Sequence, residues 1–308
     1  MAMQKIIKSV MVAALCWGTL GQAIAQKVDK KLQRQVEALV KGFNGDIGVY
    51  IKDLRKGKIV AVNADTVFPT ASVVKVPILV GVMDKIARGE LAYRQNLKYR
   101  DSLLYAGADI LGSFKQDEQI ELSKVMMLML TMSDNTASLW LQSLAGTGTR
   151  INELMDSLGL PNTKVNSRTP GREAIRSVYG WGQTTPREMA TLFERIYKGE
   201  IISKAASDEM LRGLKREYWD DRAQAQLPPY ATVFSKTGAV NQTRNEVMVV
   251  KGDKSLYLLS IFSKNNKDER WTPDNEAWIL IRKISDLLWN HYEPRDKWAP
   301  APGTELFN

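Results

Sequence analysis

The sequence predicts a mixed α/β (α+β) fold: an antiparallel sheet of about five strands, built from both ends of the chain and flanked by helices, with an all-helical lobe inserted between them. Three observations carry this. Strand-like runs cluster at residues 46–63 and again at 231–263. The stretch between them, roughly 117–210, is dominated by helical apolar spacing. An amphipathic helix then closes the chain. The boundaries this implies are an α/β lobe of about 26–70 and 212–293, a helical lobe of about 71–211, and a loose proline-rich tail over 294–308.

The chain opens on a leader. Lys5 and Lys8 precede a mostly apolar stretch from Val10 to Leu20, and Ala23-Ile24-Ala25 is a small-residue cleavage signal. Residues 1–25 therefore read as a secretory signal peptide, and the mature protein as periplasmic or secreted. Cys16 lies in the apolar stretch, but Leu15 before it is not the small residue that lipidation requires. Cleavage removes the only cysteine, so the fold is held by its core without a disulfide.

The remaining elements follow in order. Val28 to Val40 has helical spacing. Asp46 to Asp53 and Lys58 to Asn63 read as a strand pair around the turn Leu54-Arg55-Lys56-Gly57. Val73 to Ala87 is a long apolar helix in which the early Pro77 removes one donor and distorts the first turns. Leu122 to Met132, Thr136 to Leu144, Ile151 to Leu158 and Pro186 to Tyr197 are helices, the last with proline where a first turn accepts it. Ala231 to Lys236, Arg244 to Val250 and Ser255 to Ser263 are strands with hairpin-scale connections. Asn275 to Trp289 carries Trp278, Ile281, Ile284 and Leu288 on one face. No run after the leader reaches the roughly 18–20 apolar residues that cross a bilayer.

Composition removes several chemistries. The net charge of +9 falls to +7 with loss of Lys5 and Lys8, but basic residues are dispersed without an interleaved aromatic stripe, and export argues against nucleic acid. The single histidine, His291, sits near the end of the last helix, where the dipole favours it. A Ser-His-Asp triad would depend on it alone, and no His/Cys cluster or zinc motif occurs. No phosphate-cradling glycine loop is present. No metal or organic cofactor is expected.

What remains is serine activated by lysine. Ser72-Val73-Val74-Lys75 begins an apolar helix, and i, i+3 spacing puts both side chains on one face. A serine hydroxyl is a weak nucleophile without an adjacent base, and a desolvated lysine near other cations can lose its charge and act as one. Ser133-Asp134-Asn135 follows the apolar helix before it and also suits a helix N-cap. Lys236-Thr237-Gly238 ends the strand that starts at Thr232. Each motif alone has an ordinary structural explanation. Together, and in this order, they supply a nucleophile, two lysines, a second hydroxyl and an amide.

The set S-x-x-K, S-D-N and K-T-G resembles that of the penicillin-recognising superfamily, class A serine β-lactamases in particular. The similarity extends through Phe68-Pro69-Thr70-Ala71, Thr131-Met132, Thr136-Ala137, Thr184-Thr185-Pro186 and Met189-Ala190-Thr191. It implies that Ser72 is acylated, that Lys75 takes or relays its proton, and that Ser133 passes a proton to the leaving nitrogen with help from Lys236. It further implies that Asn135 holds the substrate's amide, that Thr237 and Gly238 line the carboxylate subsite, and that the N–H groups of Ser72 and Ala239 form an oxyanion hole. Arg244 would reach the substrate carboxylate, and Tyr105 would be an aromatic gate or a packing residue.

One departure is specific. Efficient class A enzymes carry a glutamate in an E-x-x-L-N segment before T-T-P, where it activates the deacylating water. Here the segment is Asn166-Ser167-Arg168-Thr169-Pro170-Gly171-Arg172-Glu173, so Thr169 or Arg168 falls at that position. Glu173 would have to serve from a shifted backbone, or be a solvent-facing loop residue. The expected function is an exported class A β-lactamase-like hydrolase acting on β-lactams through an acyl-serine. The alternatives are a D-Ala-D-Ala peptidase acting on peptidoglycan stems and a penicillin-binding sensor that does not turn over. The protein is expected to be a monomer.

Overall fold

A computed structural model describes residues 27–105 and 109–304. The leader, with Lys5, Lys8, Cys16 and the Ala23–Ala25 signal, lies outside the described residues. Five runs rich in β-branched, aromatic or other large apolar residues form one antiparallel sheet: β1 (Asp46–Asp53), β2 (Ile59–Val62), β3 (Thr232–Val240), β4 (Thr243–Lys251) and β5 (Leu256–Lys264). Their spatial order is β2-β1-β5-β4-β3. The two chain ends meet at β1 and β5, with Asp46 opposite Lys264 and Asp53 opposite Tyr257.

β1, β4 and β5 are buried almost throughout, because helices cover both faces. The two-residue period splits the side chains. Val49, Ile51, Met248, Val250 and Leu259 pack with α1 (Lys30–Val40) and α9 (Glu276–Tyr292). Asp29 caps α1 by accepting from the Leu32 amide, and Asn275 caps α9 by accepting from the Ala277 amide. Tyr50, Val247, Val249, Leu258 and Phe262 face the opposite core. His291 lies in the last turn of α9, 3.6 Å from Asp29.

That second core is shared with the helical region. It holds α2 (Lys75–Ala87), α3 (Leu122–Thr131), α4 (Asn135–Leu144), α5 (Thr147–Ser157), α7 (Pro186–Tyr197) and α8 (Lys204–Leu214); the short α6 (Glu173–Tyr179) is exposed. α2 is buried from Lys75 to Met83 and is the axis around which α4, α5 and α8 pack. Burial of each large aliphatic side chain there contributes about 1.5–3 kcal/mol.

Two boundaries differ from the sequence reading. α7, grouped above with the helical lobe, lays Met189, Leu192, Phe193 and Ile196 against the sheet, so the sheet-bearing layer recruits a helix from the middle of the chain. The tail is tied down where it is described: the Tyr230 hydroxyl donates to Asp296 at 2.7 Å.

Candidate active site

The nucleophile candidate is presented by a strained turn. Residues Ala71–Val74 form one 3-10 turn ahead of α2, rather than a continuous helix from Val73. Ala71 has φ of 45°, a left-handed conformation that costs a non-glycine residue about 1–3 kcal/mol and persists only where its surroundings impose it. Pro77 is the third residue of α2, where an amide has no intrahelical acceptor to lose, so it ends no helix.

Lys75 is fully buried one turn after Ser72. Its Nζ donates to Ser72 Oγ at 3.0 Å, Ser133 Oγ at 2.9 Å, Asn135 Oδ1 at 2.9 Å and the Ser133 carbonyl. Burial, and then the nearby Lys236 ammonium, lower its pKa to about 7 against the opposing pull of Asp109, Glu217 and Asp134.

The Ser133-Asp134-Asn135 segment serves the fold and the site at once. Asp134 is the N-cap of α4, accepting from the Ala137 amide at 2.7 Å, and its other oxygen accepts from the Leu111 amide at 2.9 Å. Burial raises the Asp134 pKa. With Asp134 taking the capping role, Ser133 and Asn135 turn toward Lys75; Ser133 does so with φ of 59°. Asp109 fastens the next residue, accepting from the Thr136 amide at 2.9 Å.

The Lys236-Thr237-Gly238 motif does not end its strand, as the sequence suggested. β3 continues to Val240 and pairs with β4 as far as Thr243. Gly238 is required by a close approach: a Cβ there would stand 2.6 Å from the Thr70 carbonyl oxygen and 2.9 Å from the Ser72 amide nitrogen. The strand thus lies directly on the Ser72 turn. Ser72, Ser133, Asn135, Thr237, Gly238 and Ala239 all line one cleft of about 380 Å³, walled by Met132, Trp219, Trp271 and Trp278.

Lys236 is fully buried, and its Nζ donates to both oxygens of Glu217 at 2.8 Å. The Thr237 hydroxyl donates to the same carboxylate at 2.9 Å. Glu246, opposite Thr237 in β4, is buried as well. Burial pushes its pKa up to about 8, although its carboxyl accepts from the Ala223 amide.

Three expected residues stand elsewhere. Arg244 is fully buried, and its guanidinium donates to the carbonyls of Asn241, Thr243, Glu269 and Arg270 while lying over Trp271 and Trp278. That orientation fastens the loops at the end of the sheet and does not present the arginine to a substrate carboxylate. Arg222 lines the cleft instead, stacked 3.9 Å over Trp278. It was missed because it lies in an irregular segment with no motif. Glu173 opens α6, is exposed, and accepts from the Gly171 amide. It is not among the residues that line the cleft. Tyr105 packs edge-on against Trp181 at 4.9 Å with its amide on Thr136 Oγ1.

Between Asn166 and Gln183 the loop is anchored through neutral acceptors, with the Arg172 guanidinium donating to Asn166 Oδ1 at 2.6 Å and to Gln183 Oε1 at 3.0 Å. Ser167 exchanges side-chain and carbonyl hydrogen bonds with Gln142, and the amides of Asn166 and Ser167 donate to the Trp181 carbonyl. Thr169 is buried against Gly148, where an added Cβ would stand 1.8 Å from its hydroxyl oxygen; Arg168 points outward with φ of 46°.

Comparison with known proteins agrees with this geometry. Residues 31–292 match the family model described as the beta-lactamase enzyme family. The chain is 24% identical to beta-lactamase VEB-1 of Pseudomonas aeruginosa over 94% of its own length and 99% of that protein. It is 27% identical to a beta-lactamase of Streptomyces albus G over 77% and 78%. Among solved structures, a variant of PBP-A in an acyl-enzyme complex with penicillin G superimposes with a TM-score of 0.78 at 29% identity, covering 87% of this chain and 98% of that one. PBP-A itself gives 0.77 at 28%, over the same shares. No helix among the described residues is long and apolar enough to cross a membrane. By its motifs, its sheet and these likenesses, the chain belongs to the beta-lactamase enzyme family, within the superfamily of class A serine β-lactamases and penicillin-binding proteins.

Proposed function

We propose that this protein is an exported serine hydrolase that opens β-lactam amides through an acyl-Ser72 intermediate. The observation that carries the reading is Ser72 Oγ placed 3.0 Å from a buried amine whose pKa lies near neutrality. In the neutral form Lys75 accepts the Ser72 proton as the hydroxyl attacks the carbonyl carbon. The developing oxyanion is addressed by the backbone N–H groups of Ser72 and Ala239. Ser133, hydrogen-bonded to Lys75, returns a proton to the leaving nitrogen, and Asn135 holds the acyl side chain's amide. The penicillin G adduct of the similar PBP-A variant supports this choice of substrate class.

A second reading, a D-Ala-D-Ala peptidase acting on peptidoglycan stems, is favoured by the loop. Thr169 is buried and uncharged, and Glu173 is exposed outside the cleft, so neither is a base for a deacylating water. Acylation is then complete while release of a β-lactam is slow.

The test is intact mass against time on residues 26–308 with excess benzylpenicillin, repeated on S72A. A transient adduct with hydrolysed drug accumulating supports the hydrolase; a persistent adduct, with turnover of a D-Ala-D-Ala peptide, supports the peptidase. An adduct of equal yield on S72A overturns the mechanism.

A further inference from the structure

Beneath the corner of the cleft that would receive a ligand carboxylate, next to the lining residue Thr237, lies a carboxylate of the protein itself. Glu217 accepts from Lys236 Nζ through both oxygens at 2.8 Å and from the Thr237 hydroxyl at 2.9 Å. Its side chain is 1% exposed, so the pair is sealed beneath the cleft and is not a surface ion pair that solvent exchanges freely. A threonine hydroxyl has one proton to donate. While that proton points at Glu217, it cannot also point at a ligand anion.

Glu217 is held there by its own segment. The next residue, Tyr218, donates its amide to the Thr131 carbonyl at 3.0 Å, and the Trp219 indole donates to the Met132 carbonyl at 3.1 Å. These two carbonyls immediately precede Ser133, so the segment is fastened to the same turn that presents the site. A second buried acid, Glu246, stands opposite Thr237 in the sheet. A ligand carboxylate entering this corner finds the Lys236 ammonium and the Thr237 proton already committed to Glu217, whose pKa burial raises against the pull of those two partners, so the ligand's own desolvation goes uncompensated there.

We propose that Glu217 is a specificity-determining residue: from beneath the cleft it engages the two donors of the carboxylate corner, so the cleft prefers acyl donors that are uncharged at that corner over those that carry a carboxylate there. The proposal rests on the acyl-transfer reading of the cleft and adds its substrate class, an ester or amide end in place of a free acid.

The test compares noncovalent affinity for benzylpenicillin and for its uncharged methyl ester in the S72A chain, by calorimetry, with and without E217Q. In S72A alone the ester is expected to bind at least as tightly as the acid. Adding E217Q should tighten the acid by about tenfold or more and move the ester by less than about threefold. An acid that already binds about tenfold more tightly than the ester in S72A overturns the proposal, and so does an equal shift of both ligands on adding E217Q. The first comparison needs no change at Glu217, so it decides even where E217Q does not fold. The ratio is independent of adduct formation, so failure of Ser72 as nucleophile, read by mass on the Ser72-bearing chain, is a separate result.

Discussion

Lys75 and Lys236 are both fully buried beside the same cleft, yet only Lys236 is bonded to a carboxylate. The four acceptors around Lys75 are two hydroxyls, an amide oxygen and a backbone carbonyl, all uncharged. Two lysines of one sequence are thereby given different work: Lys236 is paired with Glu217, while Lys75 is poised to shed its proton.

The first expectation concerns Lys75. Its pKa is lowered to about 7, so the neutral amine becomes the major form as pH rises through that value. The second-order rate of Ser72 acylation should rise with pH across the same interval and level off above it. K75R, which stays charged throughout, should lose about 10²–10⁴-fold at neutral pH. Stopped-flow acylation from acid to mildly alkaline buffer checks both; a flat profile in the unsubstituted protein would remove Lys75 as the base.

G238A tests the contact between β3 and the Ser72 turn. Its Cβ would meet backbone atoms, which cannot rotate away, at 2.6 and 2.9 Å. The strand must shift, at about 1–3 kcal/mol as for other overpacked sites, and Ala239 shifts with it. Acylation should fall by about tenfold or more as the oxyanion donors separate. Thermal melting and acylation rates measured on the same preparation give the two effects.

R244A should act on stability. Removing a buried guanidinium leaves four carbonyls to find other donors and takes away the cation that lies over two tryptophan rings. A loss of about 2–4 kcal/mol in urea unfolding is expected, with acylation per folded molecule little changed. A large loss of ligand affinity without destabilisation would return Arg244 to the substrate.

E246Q isolates a buried acid. Because the folded-state pKa is raised to about 8, Glu246 contributes its stability at pH below its unfolded value and loses it as pH rises through the folded value. Unfolding free energy should therefore fall by up to about 1.4 kcal/mol per pH unit between those limits in the native chain, and more gently in E246Q. Glutamine keeps the acceptor for the Ala223 amide, so the two proteins should differ least in acid.

The sequence was most informative where local chemistry and tertiary position agree. β1 and α7 have the predicted ends, Asp46–Asp53 and Pro186–Tyr197, because a glycine-containing turn follows one and a threonine cap with proline opens the other. Ser72 and Lys75 could be placed on one face by their i, i+3 spacing, whereas Ser133 and Asn135 read alone as a helix N-cap and were singled out only by the conjunction of three motifs. The extension of β3 past Gly238 was not, because a glycine and a polar Asn241-Gln242 turn read as the end of a strand until pairing with β4 is known. Glu217 and Arg222 carried no signal at all. They occupy irregular chain between α8 and β3, and their burial depends on partners distant in sequence.

The 166–183 loop is clasped through neutral acceptors, which has a further consequence. A loop closed by an ion pair opens when acid neutralises the carboxylate or when salt screens the attraction. Here the clasp is Gln142 with Ser167, the Trp181 carbonyl with two amides, and the Arg172 guanidinium with the side-chain oxygens of Asn166 and Gln183, so no acid takes part. The loop should thus keep its shape through changes of acidity and ionic strength that would open one closed by opposite charges.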